Sequence, residues 1–214
     1  AALEKIFEAY RIFESIGDES GMAYSLNDIG ELYIAQKNYD KALEYFKRSG
    51  ELRLVRKDKR GYAKSLINIA SVYTYKYEFD DALKTYTQAE HYCDLSEYTK
   101  GKSWIKAGIS DIYSNMGNYN KAISISFEAL DIDLLIGNKY GEIISYNKIG
   151  FLYIKLGKFE DAKKFLFKAR DEAKRTGHLD QLMIAYQYLT QLAVIKNNFQ
   201  LAYQYSVESE SIRD

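Results

Sequence analysis

The hydrophobic positions of this chain recur with a period of 40 residues. Alanines occupy one column of the repeat: Ala2, Ala42, Ala82, Ala122, Ala162 and Ala202. Branched apolar residues occupy a second column: Ile29, Ile69, Ile109, Ile149 and Leu189. Small residues fill the next column: Gly30, Ala70, Ser110, Gly150 and Thr190. Aromatic residues form a fourth: Tyr39, Phe79, Tyr119, Phe159 and Phe199. A fixed period of this length predicts a solenoid of similar stacked repeats.

Each repeat has the pattern of two helices. One helical stripe contains the small and apolar residues Ala23, Leu26, Ile29, Gly30 and Tyr33. A polar turn at residues 36–38 follows, and the second helix carries Ala42 and Phe46. Glycines suited to the left-handed conformation end three second helices: Gly17, Gly137 and Gly177. Asp18 and Asn138 come next, and either side chain can cap the following helix.

The predicted architecture is all-α, one solenoid domain over residues 1–214 without β-sheet. Residues 1–17 are predicted to be the second helix of a truncated repeat. Five repeats follow, with approximate bounds 20–57, 60–97, 100–137, 140–177 and 180–214. A single helix pair cannot bury its apolar face, so the repeats must stack on one another.

Charge and composition argue against a nucleic-acid or membrane partner for this segment. Lys and Arg total 30, as do Asp and Glu. Basic residues cluster in one run: Lys47, Arg48, Arg53, Arg56, Lys57, Lys59 and Arg60. We interpret the run as a solvated helix C-terminus, because the other repeats carry no matching basic stripe. No apolar stretch approaches the ~20 residues that span a bilayer.

Residues that could carry catalysis or hold a metal are scarce. Cys93 is the single cysteine, and His91 and His178 are the two histidines. The offset between His91 and Cys93 directs them to different sides of a helix. No phosphate-binding, nucleophile-elbow or zinc-protease motif occurs. The sequence therefore predicts a protein that is not an enzyme, with no cofactor and no metal.

The small–aromatic–alanine pattern resembles the tetratricopeptide repeat. In one repeat the matching residues are Ile29, Gly30, Tyr33, Ala42, Phe46 and Ser49. In another they are Ile149, Gly150, Tyr153, Ala162, Leu166 and Ala169. The resemblance implies a right-handed superhelical solenoid of antiparallel helix pairs. The usual repeat of this family has 34 residues, whereas this one has 40 and no proline. Long repeats of this kind are similar to those of kinesin light chains, Rap-type bacterial peptide receptors and bacterial sensor proteins.

The resemblance implies a non-catalytic scaffold that binds a protein or peptide, expected to be the sensory or interaction region of a larger bacterial signalling protein. The alternatives are an assembly adaptor outside signalling and the non-catalytic region of a multidomain enzyme such as a histidine kinase. The chain begins Ala1-Ala2-Leu3, and we interpret it as an excerpt from a longer protein. Its compartment stays open between the cytoplasm and, with a signal peptide, the periplasm.

The resemblance also places the ligand on the concave face, lined by first-helix residues outside the packing columns. The predicted peptide-binding residues are Tyr24, Asn27, Lys64, Trp104, Asn147, Phe151 and Ile154. Asn27 and Asn147 can donate to and accept from a peptide backbone. Trp104 is expected to anchor the ligand, the alternative being that it packs on the preceding helix pair. Uncapped solenoid ends predict self-association.

Overall fold

The computed structural model describes residues 2–212, and for Ala2 the backbone alone. The Ala2 side chain, Ala1, Arg213 and Asp214 lie outside this description. Within it the chain is helical with no strand, as the sequence predicts. The helices are α1 (Ala2–Ser15), α2 (Glu19–Ala35), α3 (Tyr39–Val55), α4 (Lys59–Tyr75), α5 (Phe79–Leu95), α6 (Thr99–Asn115), α7 (Tyr119–Leu135), α8 (Lys139–Lys155), α9 (Phe159–Thr176), α10 (Leu179–Ile195) and α11 (Phe199–Glu210). None of these helices is long and apolar enough to cross a bilayer.

Successive helices pack as antiparallel pairs, because only two or three residues join one helix to the next. This arrangement confirms the predicted all-α stack of helix pairs. The contacts divide the chain into two compact units, the first ending at Gly108 and the second beginning at Ile109. The boundary falls within α6, so each unit contains part of that helix.

The column of small residues brings two helices of a pair into close contact. A methyl group added to Gly30 would lie 2.6 Å from Cε1 of Phe46. In the second unit, a methyl group on Gly150 would lie 2.6 Å from Cδ2 of Leu166. Glycine at these positions therefore leaves space for the large side chain of the second helix.

Each unit has its own buried core built from the repeat columns. In the first unit the cluster includes Ile29, Ala42, Phe46, Ile69 and Val72. In the second unit a larger cluster extends from α8 to α10: Ile143, Ile154, Ala162, Leu166, Ala169, Ala173, Leu182, Ala185, Tyr186, Leu189 and Leu192. The packing columns thus face inward in both units.

The turns show one difference from the predicted caps. Oδ1 of Asp18 accepts hydrogen bonds from the backbone N–H groups of Ser20 and Gly21, both at 3.0 Å. Asn138 makes no such side-chain cap. Its Nδ2 donates instead to Oδ1 of Asp133 at 2.7 Å. Asp133 is buried, and a buried carboxylate needs hydrogen-bond donors.

Candidate functional site

Three predicted site residues lie in the first unit at equivalent places on successive first helices. Tyr24 on α2, Lys64 on α4 and Trp104 on α6 are 40 residues apart. Tyr24 is 58% exposed, and Lys64 and Trp104 are half-buried. These side chains therefore lie outside the packing columns and remain accessible to a ligand.

Trp104 packs edge-on against Tyr98, which lies just before α6. The ring centroids are 5.8 Å apart and the planes meet at 89°. Nζ of Lys100 lies 5.3 Å from the centroid of the Trp104 ring. Tyr98 is buried, and burial raises the pKa of its phenol to about 12. Tyr98 thus supports the half-buried Trp104 ring.

Two more cations from α4 lie over Tyr98. Cζ of Arg60 is 4.5 Å from the ring centroid, and Nζ of Lys64 is 5.6 Å from it. The pKa of Lys64 is lowered, first by burial and then by Arg60, Arg53 and Lys100. The cations are therefore close enough to repel one another.

Arg53 connects this surface to the interior of the first unit. Its guanidinium is buried and donates to the carbonyl of Gly61 at 2.9 Å and to Oγ of Ser65 at 3.1 Å. Its Cζ lies 5.3 Å from the ring centroid of Tyr24. Burial lowers the pKa of Arg53, although an arginine keeps its charge at neutral pH. The sequence-based interpretation of Arg53 as part of a solvated run was wrong, because hydrogen bonds within the helix stack hold it inside.

Asn27 takes part in a hydrogen-bonded chain across two helices. Its Oδ1 accepts from Nδ2 of Asn68 on α4 at 2.9 Å, and its Nδ2 donates to Oε1 of Glu31 at 2.8 Å. Burial is the main cause of the raised pKa of Glu31. Asn27 is half-buried, so a ligand would exchange these bonds rather than fill an empty position.

Asn147 in the second unit occupies the same register position but has a different environment. It is 3% exposed, and its Nδ2 donates to the carbonyl of Gln181 at 3.0 Å and to Oε1 of that residue at 3.3 Å. Its Oδ1 is buried without a hydrogen-bond partner among the described residues. An unsatisfied buried acceptor is costly, so this atom is a candidate acceptor for a ligand N–H group.

Phe151 and Ile154 differ in accessibility. Phe151 is half-buried and packs on Tyr188 of α10, with ring centroids 5.1 Å apart. Nζ of Lys155 lies 5.2 Å from the Phe151 ring. Ile154, expected on the inner wall, is instead 6% exposed within the core of the second unit. Ile154 is covered because it lies in the last turn of α8 on the face that packs against residues of α9 and α10.

Sequence reasoning missed three residues of the first-unit surface. Tyr98 and Lys100 were not singled out, and Arg60 was assigned to the end of a helix. The preceding helix ends at Val55, and Arg60 lies in the first turn of α4. One signal was available, since Arg60 and Lys64 are four residues apart and therefore share a helix face.

The described residues contain no group of three or more side chains arranged to hold a metal ion. Cys93 is fully buried, and burial raises the pKa of its thiol to about 11. Such a thiol is a poor nucleophile at neutral pH. Cys93 therefore acts as a packing residue in the first unit.

Two matches to the tetratricopeptide repeat cover residues 21–90 and residues 105–134 and 143–169. Together they span more than half of the chain, so the chain belongs to the tetratricopeptide repeat family. Repeats of this family are generally non-catalytic modules for protein interaction. The family explains the helix-pair repeat.

Three solved structures illustrate the similarity of the fold. A Rap protein complexed with Competence and Sporulation Factor gives a TM-score of 0.79 at 18% identity, over 98% of this chain and 58% of that one. BtubC (BKLC) from P. vanneervenii gives 0.73 at 16% identity, over 100% and 91% of the two chains. A signal transduction ATPase with a tetratricopeptide repeat sensor, PH0952 from Pyrococcus horikoshii, gives 0.67 at 23% identity, over 96% and 32%. This chain thus spans little over half of the Rap protein and about a third of the Pyrococcus protein.

A search of curated proteins finds no significant match to the sequence.

Proposed function

We infer that this chain is a protein- or peptide-binding scaffold that uses the first-helix surfaces of its repeats and catalyses no reaction. The observation that carries the inference is the position of Trp104. The half-buried Trp104 lies outside the packing columns on α6, with one edge against Tyr98. Large aromatic side chains in such positions are frequent anchors at protein interfaces.

The second unit offers a complementary set of groups. Oδ1 of Asn147 is a buried acceptor without a partner among the described residues, and Phe151 presents a half-buried ring nearby on α8. A peptide backbone supplies N–H donors, and an apolar side chain would cover the ring. These groups support a peptide as the ligand better than a small polar molecule.

The proposed context is a larger signalling or regulatory protein of bacterial type. The similar structures include a Rap protein complexed with Competence and Sporulation Factor, a quorum sensor named NprR from B. thuringiensis and an ATPase with a repeat sensor. This chain spans 58%, 70% and 32% of those chains respectively. Any catalytic output would then belong to a different part of the protein.

The test replaces Trp104 by Ala after a peptide ligand has been selected from an immobilised peptide library. Loss of an aromatic anchor costs at least ~2 kcal/mol of binding, or about thirtyfold in affinity. The melting temperature is expected to stay nearly unchanged, since Trp104 is not part of the buried core. Binding is measured by isothermal titration calorimetry and stability by circular dichroism.

The matched control is Tyr77→Ala, which removes an aromatic side chain that is 70% exposed in the turn after α4. This variant should bind the selected peptide as tightly as the parent. If Trp104→Ala instead unfolds the chain while its folded fraction keeps full affinity, Trp104 is a packing residue and the binding surface lies elsewhere.

A further inference from the structure

The strongest unexplained feature of the molecule is a set of cations in the first unit that have no carboxylate partner. Arg60, Lys64 and Lys100 surround the rings of Tyr98 and Trp104 at 4.5, 5.6 and 5.3 Å. We call these five residues the basic–aromatic cluster. Among residues 2–212, no ion pair joins any of its three cations to an Asp or Glu side chain.

Two other basic residues near the starts of first helices are paired with carboxylates. Lys102 on α6 forms an ion pair with Asp94. In the second unit, Nζ of Lys139 lies 2.7 Å from Oε1 of Glu142. The cations of the basic–aromatic cluster differ from these two lysines in having aromatic rings rather than carboxylates beside them.

The electrostatics of this cluster are unfavourable in the unbound protein. Lys64 has a lowered pKa because burial and three nearby cations disfavour its charge, while Asp58 acts in the opposite direction. The first turns of α4 and α6 contain no acidic residue, and the carboxylate at the start of α4 is that of its N-cap, Asp58. Cations in these turns oppose the positive end of the helix dipole. A bound anion would relieve both effects.

The distribution of charge around the basic–aromatic cluster favours an acidic peptide over a nucleic acid. The cluster is small, and neighbouring α2 carries Asp28 and Glu31 on exposed positions. A nucleic-acid backbone extending along the helices would meet these carboxylates and be repelled. A peptide with a local acidic group can place its carboxylates at the cations and a neutral segment beside α2.

We propose that the basic–aromatic cluster binds Asp or Glu side chains of an acidic peptide segment, with the rings of Tyr98 and Trp104 covering the adjacent part of that segment. This inference rests on the proposed function and assigns the ligand class for the first unit. Charge-assisted hydrogen bonds from arginine and lysine to carboxylate are the expected polar contacts.

Lys64→Glu provides the most informative variant. Arg60 and Lys100 both act on the charge of Lys64, so a carboxylate at this position would replace the negative charge that the ligand is proposed to bring. The variant is therefore expected to melt at a higher temperature than the parent and to lose affinity for acidic peptides more than about tenfold. A purely structural lysine would give lower stability and no change in peptide selectivity.

Two neutral variants and one control complete the series. Arg60→Gln and Lys100→Gln are each expected to weaken binding of an acidic peptide about fivefold. Lys59→Gln removes the same charge from the same turn of α4 without touching Tyr98, so it should weaken binding less than about twofold. This control separates contact with the cluster from a general effect of charge.

The experiment probes the 214-residue chain with an array of acetylated and amidated peptides of random sequence and with a short single-stranded oligonucleotide. The strongest acidic peptide is then titrated while the fluorescence of Trp104, the single tryptophan of the chain, is recorded. Enrichment of Asp and Glu among bound peptides, lost in Lys64→Glu and kept in Lys59→Gln, is the expected result.

Other outcomes separate the two proposals. Peptides that bind without acidic enrichment, or equally well to Lys64→Glu, would overturn the acidic ligand class and leave peptide binding intact. Preferential binding of the oligonucleotide through the same cations would also overturn it. If no peptide binds the chain at all, the proposed function is wrong and this inference is wrong with it.

Discussion

The turns between helices offer a test of the backbone conformation that the repeat requires. Five turns place a glycine in the left-handed region: Gly17, Gly117, Gly137, Gly157 and Gly177. Five others place a residue with a side chain there, with φ between 53° and 62°: Lys37, Lys57, Tyr77, Glu97 and Asn197. We expect Lys57→Gly to stabilise the protein, because glycine adopts this conformation without steric cost.

The magnitude follows from two opposing terms. A left-handed residue with a side chain costs about 1–2 kcal/mol, and the greater freedom of glycine in the unfolded chain returns about 0.4–1 kcal/mol of this. The hydrogen bonds of the turn are kept, including Asp58 N–H to the Arg53 carbonyl at 2.9 Å. The expected gain is therefore about 0.5–1 kcal/mol in the free energy of unfolding.

Combining distant sites should add their effects. The triple variant Lys37→Gly, Lys57→Gly and Glu97→Gly is expected to gain about 1.5–3 kcal/mol. For a chain of this length each kcal/mol raises the melting temperature by about 2–4 °C. In the opposite direction, Gly157→Ala should lose about 1 kcal/mol. An added methyl group would project into open space, so only the φ of 71° opposes it.

The assay is urea unfolding followed by circular dichroism, with thermal melts as a second measurement. Lys84→Gly is the control, because it makes the same change at an exposed position inside α5 and should lose about 1 kcal/mol. A Lys57→Gly variant no more stable than the parent, together with a neutral Gly157→Ala, would refute the reasoning.

Two further predictions concern packing and assembly. Ala122→Leu should destabilise the protein by ~1–3 kcal/mol, because Ala122 is fully buried in the close contact of a helix pair; a neutral urea midpoint would contradict this. We also expect the chain to self-associate through α11, which exposes Phe199, Tyr203 and Val207 at four-residue intervals. Sedimentation should show Tyr203→Glu to be more monomeric than the parent, and a parent that stays monomeric at high concentration would contradict it.

The local sequence determined the repeat, the helices and most of their ends. Helical periodicity, the regular spacing of small residues and the turn residues all act within a few positions of the chain, so they can be recognised without knowledge of distant contacts. Gly30 illustrates this, since its column of small residues is visible in the sequence and the structure places the Phe46 ring against it. Glycine did not mark every turn, however. Lys57 has the same left-handed backbone conformation as Gly137, and the two turns make equivalent backbone hydrogen bonds.

The tertiary structure decided what each candidate site residue contacts. Asn27 and Asn147 share a register position, yet the first bonds to Asn68 and Glu31 while the second is buried against Gln181. Gln181 offers Asn147 both its backbone carbonyl and its side-chain Oε1, whereas the other repeats have glycine in that column. Which partner a side chain meets depends on packing between helices that are distant in sequence, and the repeat register does not contain that information.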